Sequence, residues 1–258
     1  HCGDFFLLHQ SNEQDLLSAL ESGTIESLRD VQPIRAEQIE KMGTTIESYP
    51  LPRTFGAFFN QNKNQIFTDR AVRGALSMAI DRESIIDEIL HGYATPLEGP
   101  LPPPHMPDNK PTDTTTIGEA RTVLENAGWE RGDDGIYADK TGRLAFTIST
   151  ANTAELKETA EALQRVWQTL GAEVTVEFFD LGALHQNIIR PREYDVLLFG
   201  QVVGRSGDLY PFWHSSQRND PGLNIALYTN IAVDDILSDI RTTLDVATQD
   251  DLYASLDS

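Results

Sequence analysis

The apolar positions of this chain follow two periods, and the alternation between those periods outlines a fold. Residues 143–150 (RLAFTIST), 173–179 (EVTVEFF) and 195–200 (DVLLFG) carry β-branched, leucine and aromatic residues in the short runs or alternations expected of strands. Residues 153–170 instead place Leu156, Ala160, Leu163, Trp167 and Leu170 on one helical face, and Gly171 comes next, where a helix would be closed. Residues 181–189 read as a short helix between the second and third strands. A β-α-β-α-β order predicts parallel strands joined by right-handed crossovers, which places the chain in the α/β class.

Before that unit the pattern is more helical. Residues 11–21 carry Leu16, Leu17 and Leu20 at helical spacing, opened by Ser11 with Gln14 three residues on and closed by Gly23. Residues 53–60 (RTFGAFFN) read as a strand. Residues 69–90 predict a broken helix, with Val72, Ala75, Leu76, Ala79 and Ile80 on one face. It restarts at Asp81, carries Ile85, Ile86 and Ile89, and ends at Gly92. Seven prolines between Pro96 and Pro111 exclude regular structure there and leave an extended loop. Thr116 with Glu119 predicts a capping box for a helix running to Gly128. The last residues, DDLYASLDS, look like a helix cut short, and the first, HCGDFFLLHQ, lack the features of a secretory signal. Both ends are expected to be boundaries within a longer protein.

Composition narrows the function classes. The 258 residues are 40% hydrophobic, enough to bury a core, and no window of 18 apolar residues predicts a membrane span. Forty acidic against twenty basic side chains give a net charge of −20, which speaks against nucleic-acid binding and for solubility. The single cysteine, Cys2, excludes an internal disulfide and a cysteine-based zinc site. The six histidines show no metal-ligand spacing. No GxSxG, HExxH, P-loop or GxGxxG motif is present, so neither catalysis nor a cofactor is expected. VVGRSGD (202–208) has the glycines and arginine of an anion cradle but not the lysine or spacing of a P-loop.

The strand 195–200 ends at Gly200, and in open α/β sheets ligands bind outside the carboxyl ends of strands. Residues 201–208 therefore leave the sheet where a crevice is expected, or else form a plain strand-to-helix turn.

Three stretches resemble a known family. The first is FFNQNKNQIFTDRAVRGALSMAIDRESIIDEILHGYATPLEGPLPPP, with Asn60, Asp69, Val72, Arg73, Ala75, the run Ala79-Ile80-Asp81-Arg82, Gly92, Ala94 and Pro96 at the motif positions. The second is DLLSALESGTIESL, in which Ser27 stands where an aspartate is usual. The third runs from EYDVLLFG through YPFWHSSQRNDPGLNIALYTNIAVDDIL. Together they resemble the family 5 extracytoplasmic solute-binding proteins of ABC importers, the dipeptide, oligopeptide and nickel class. The resemblance implies a periplasmic-binding-protein-like (type II) lobe: a central mixed sheet with a β-α-β-α-β unit, flanked by helices. Residues 1–258 would then be the second lobe with its hinge-proximal ends, with most of lobe I missing. It further implies capture of a peptide or related small polar solute between two lobes and delivery to a membrane permease. A monomer in the periplasm or another extracytoplasmic space is expected. The motif over residues 69–92 is expected to be core structure rather than pocket.

In peptide-binding members a tryptophan commonly comes after the glycine, and an aspartate three residues further meets the peptide's amino group. Here Gln201 replaces the tryptophan and Gly204 stands at the aspartate position, unless a gap shifts the match to Asp208. The basic residue that some members carry two positions before the glycine is Leu198. The ligand-binding residues expected from strand end and resemblance are Gly200, Gln201, Val202, Arg205, Asp208, Tyr210 and Trp213. Asp208 would meet an amine and Arg205 a carboxylate, while Tyr210 and Trp213 would either stack on a ligand or pack the lobe beneath the loop. Two alternatives stand beside this: a stand-alone receptor, and a hydrolase using Ser206 in the loop 204–207.

Overall fold

The computed structural model describes residues 13–29, 31–49, 51, 53–97, 99, 116–204 and 208–256. The chain begins with helices α1 (Glu13–Glu21) and α2 (Pro33–Lys41), then strand β1 (Arg53–Phe59) and a 3-10 turn, Gln65–Thr68. Helices α3 (Arg70–Met78), α4 (Arg82–Glu88) and α5 (Ile117–Asn126) come next. A small antiparallel meander, β2 (Glu130–Arg131), β3 (Tyr137–Asp139) and β4 (Gly142–Arg143), leads into β5 (Ala145–Ala151). Then come α6 (Ala154–Leu170), β6 (Glu173–Phe179), the single turn α7 (Leu181–Ala183) and a π-helical stretch, Leu184–Ile189. Strand β7 (Val196–Val202), α8 (Tyr210–Trp213), α9 (Ile231–Thr242) and α10 (Val246–Leu256) complete the chain.

The central sheet has the order β1-β7-β5-β6. Strands β5, β6 and β7 are parallel, as the alternating strand and helix order predicts, and β1 joins antiparallel to β7 to make the sheet mixed. The predicted capping box is formed: Thr116 Oγ1 accepts from the Glu119 amide and Glu119 Oε2 accepts from the Thr116 amide. Asp69 and Asp81 each cap the helix that begins after them. The predicted strand 143–150 is divided between β4 and β5 because Arg143 turns into the small meander. Helix α2, opened by Pro33 in its first turn, and the meander itself go beyond the sequence expectations. Most of the proline-rich loop expected at residues 96–111 lies outside the described residues.

Among the described residues, three apolar clusters hold these elements. On one sheet face, Phe146, Ile148, Val196 and Leu198 meet Leu163 and Trp167 of α6, Leu76 of α3 and Leu124 of α5. Phe146 packs edge-on to Phe67 and to Trp167, with ring centroids 5.3 and 5.4 Å apart. On the opposite face Leu197 and Ala151 meet Leu184, Ile189, Tyr194 and Ile225. Beyond the end of β7, Val203, Leu209 and Phe212 pack against Leu237, Ile240 and Tyr253 of the last two helices.

The residues of the 69–92 motif serve this framework. Asp69 caps α3 through the Ala71 amide and also accepts from the Trp129 indole at 3.0 Å. Arg73 donates to the carbonyls of Phe67 and Thr68. Val72 and Ala75 are fully buried.

Trp167 joins α6 to α3, because its fully buried indole donates to the Leu76 carbonyl at 2.9 Å, while its ring packs on Phe146 of the sheet. Trp167→Ala would empty the centre of the largest cluster and orphan that carbonyl. We expect a loss of about 3–5 kcal/mol in urea-induced unfolding followed by circular dichroism.

Candidate ligand-binding rim

Because β5, β6 and β7 are parallel and β1 is antiparallel to β7, one edge of the sheet gathers four chain ends. They are Ala151, Phe179 and Val202 at strand carboxyl ends, and Arg53 at a strand start. Covered sheet ends where α6 begins, so β7 passes from full burial at Val196, Leu197 and Leu198 to half-burial from Phe199 to Gln201 and to exposure at Val202.

Gly200 faces Phe55 across the β1–β7 pair, and a Cβ at Gly200 would stand 2.6 Å from Phe55 Cε1. Glycine here leaves room for the Phe55 ring, which lies across the strand where a side chain would be. Gln201 projects from the other face and donates from Nε2 to the Leu223 carbonyl at 2.9 Å. Val202 pairs with Arg53 and is 65% exposed.

After the rim, the chain is secured from within. Asp208 accepts from the Tyr210 amide and, in a bidentate pair, from Arg241 of α9 at 3.0 Å (Nε) and 2.6 Å. The hydrogen bonds it donates to Asp208 hold the Arg241 guanidinium above its ordinary pKa. Arg241 also sits 4.1 Å over the Tyr210 ring, which stacks on His214 with centroids 4.1 Å apart. Trp213 packs edge-on to Tyr228 and belongs to the cluster formed with α9 and α10.

The segment that supports Gln201 is fixed in the same way. Asn224 is wholly buried; its Nδ2 donates to the carbonyls of Trp213, His214 and Tyr228, and its Oδ1 accepts from the Tyr228 amide. Arg192, in a left-handed conformation at φ 61, donates to the carbonyls of Ile189, Arg218 and Gly222. Arg190 clasps Asp220 with two hydrogen bonds, 3.0 and 2.9 Å, which hold the Asp220 carboxyl below its ordinary pKa. Tyr194 Oη donates to the Ile225 carbonyl.

Of the expected ligand-binding residues, Gly200, Gln201 and Val202 stand on the rim itself. Asp208, Tyr210 and Trp213 form a separate group anchored to α9 and to residues 214–228. Arg205 lies outside the described residues, as does Ser206, on which the hydrolase alternative depends. Sequence reasoning passed over Arg53, Phe55, Leu223 and Arg241. Their partners are 22 to 149 residues away in the chain, so no local period marks them. Among the described residues no three His, Cys, Asp or Glu side chains come together as a metal site, and no helix is long and apolar enough to cross a membrane.

Burial pushes the Tyr194 phenol up to about 12, slightly opposed by Arg192. The folded state keeps this proton where an unfolded tyrosine, at 10.0, releases it. Stability from this group is therefore complete below pH 10 and is lost as pH rises towards 12. Urea titrations from pH 8 upward should show a decline on the order of 2 kcal/mol for this group. Tyr194→Phe should start about 1 kcal/mol lower, through the lost hydrogen bond, and lack that part of the decline.

Comparison with known proteins places this architecture. Residues 7–222 match the model of the bacterial extracellular solute-binding proteins, family 5 middle region. The oligopeptide-binding protein AppA of Bacillus subtilis is 32% identical over 191 residues, covering 71% of this chain and 35% of its own length. The solved structure of the B. subtilis AppA, in complex with a nonapeptide, superposes with a TM-score of 0.77 at 25% identity, over 93% of this chain and 49% of that one. NikZ of Campylobacter jejuni, solved with Ni(L-His), shares the fold with a TM-score of 0.76 at 23% identity, over 95% of this chain and 50% of NikZ. The chain thus spans about a third to a half of the length of these relatives. With the mixed sheet, its parallel crossover unit and the open rim, the match over residues 7–222 makes this chain a member of the bacterial extracellular solute-binding proteins, family 5.

Proposed function

We infer that this chain is the second lobe of the substrate-binding component of an ABC importer. It would help capture a peptide or a related small polar solute in a cleft between two lobes and present it to a membrane permease. The observation that carries this is the rim at the carboxyl ends of β5, β6 and β7, left open on a chain that spans half or less of its relatives. Gly200, Gln201 and Val202 would face the solute; backbone groups of β7 beyond Gly200 offer hydrogen bonds to it. Asp208, Tyr210 and Trp213 would anchor the chain after the rim to α9 and to residues 214–228, and Arg205 is proposed as a carboxylate contact on its place in the sequence alone. The site works extracytoplasmically, as a monomer, and binding needs no catalytic group or cofactor. The match to a family of binding proteins does not favour the hydrolase or the stand-alone receptor.

One lobe covers one side of a ligand, whereas small-molecule sites bury most of the ligand surface. Closure of two lobes about a hinge supplies the other side. A thermal-shift screen of the full-length protein against peptides, amino acids, sugars and nickel–histidine should show stabilisation by one class. At a hundredfold excess over Kd this amounts to about 2.7 kcal/mol. Residues 1–258 tested in parallel should not respond. A comparable response from this chain alone would place the whole site within it and end the two-lobe reading.

A further inference from the structure

The rim carries a guanidinium that is positioned but not engaged. Arg53 opens β1 directly opposite Val202, and its Cζ stands 4.8 Å from the centroid of the Phe55 ring. Phe55 is 48% exposed although it lies in a strand, and it occupies the space that Gly200 leaves free. Arg53, Phe55, Gly200 and Val202 are on the same face of the paired strands, since they alternate with Thr54 and Gln201. Among the described residues the Arg53 side chain makes no hydrogen bond and no ion pair. Two other arginines differ in that respect: Arg190 is clasped by Asp220 and Arg241 by Asp208.

A guanidinium held over an aromatic ring loses little of its hydrogen-bonding capacity, because its N–H groups point outward in its own plane. That fork matches a carboxylate in two parallel hydrogen bonds, and prior positioning over the ring reduces the entropy lost on binding. The half-exposed Phe55 ring and the exposed Val202 provide an apolar surface beside it. We propose that Arg53, held over Phe55, receives a carboxylate of the captured solute, and that Phe55 and Val202 take the apolar group next to that carboxylate. The solute class is then a short peptide bearing a free carboxyl terminus after an apolar residue. This inference rests on the importer reading and adds the chemistry by which the rim selects.

Gly200 gives a test that spares the fold. Its backbone is not in the left-handed region, and the atoms an alanine Cβ would meet are the outer edge of an exposed ring. Gly200→Ala should therefore displace Phe55 outward, away from its place under Arg53, rather than break the strand. The full-length protein would be incubated with an equimolar mixture of random tri- to pentapeptides, as free acids and as carboxyl-terminal amides, and the retained peptides identified by mass spectrometry. We expect the wild type to retain free acids over the matching amides by roughly tenfold or more, with apolar residues enriched at the last position. Arg53→Gln should abolish the preference for acids and Arg53→Lys should restore part of it. Phe55→Ala and Gly200→Ala should remove the enrichment of apolar last residues, with melting temperatures close to wild type in each case. Equal retention of acids and amides by the wild type, or an undiminished preference in Arg53→Gln, overturns the proposal while leaving the importer reading intact. Retention of no peptide in either form overturns peptide capture and this proposal together.

Discussion

The arrangement depends on one strand that is buried on both of its faces. β7 lies between β1 and β5, with Val196 and Leu198 turned to the α3–α5–α6 side and Leu197 to the side of Leu184 and Tyr194. A strand in that position has no face on which a polar side chain is solvated, so its run VLLF (196–199) is apolar without alternation. Polarity returns only where the helical cover ends. Burial relaxes from Phe199 onward, so Gly200, Gln201 and Val202 make up the partly to well exposed end of β7, and the rim is located by the limits of the core.

Past the rim, the chain is fixed by buried polar groups rather than by regular structure. Asn224 satisfies its whole amide with backbone groups of residues 213–228, and Arg192 spreads three hydrogen bonds over carbonyls from residues 189, 218 and 222. Removing either side chain would orphan several backbone groups at once, which is why such networks confer a single geometry. Gln201 reads out that geometry, since the carbonyl it donates to belongs to Leu223, the residue before Asn224. On the proposed function, a border set in advance would let two lobes close on a ligand by rigid rotation, with little further ordering to oppose binding.

The local part of this design was legible in the chain. Helix α6 and strands β5 to β7 are readable from periodicity, because each buries a face formed by neighbouring residues. Asp69, Asp81 and Thr116 announce helix starts by chemistry confined to three residues. The placement of β1 beside β7 was not legible, since it joins segments more than a hundred residues apart. Phe55 and Gly200 each look ordinary alone; only their register shows that one makes room for the other. The same holds for Asp208, whose carboxylate reads from sequence as a free ligand group and is in the structure engaged by Arg241.

That engagement bears on how charge can be used at this rim. For Asp208 to meet a ligand amine, it would have to share or surrender hydrogen bonds from Arg241, whose guanidinium also covers the Tyr210 ring. Displacing Arg241 would loosen the contact between the loop and α9, so the new ion pair would be offset by the loss of an existing one, and partly exposed pairs are worth only about 1 kcal/mol. Arg53 carries no such cost, because it has no partner among the described residues to give up and its ring support persists when a carboxylate arrives. In a chain of net charge −20, where acidic side chains outnumber basic ones two to one, a guanidinium with no partner among the described residues would be a selective point of attachment for the carboxylate of the proposed solute. On the proposed function, charge recognition would be cheapest for the anionic end of a solute, because Arg53 could meet it without an existing ion pair being broken, whereas Asp208 is already engaged by Arg241.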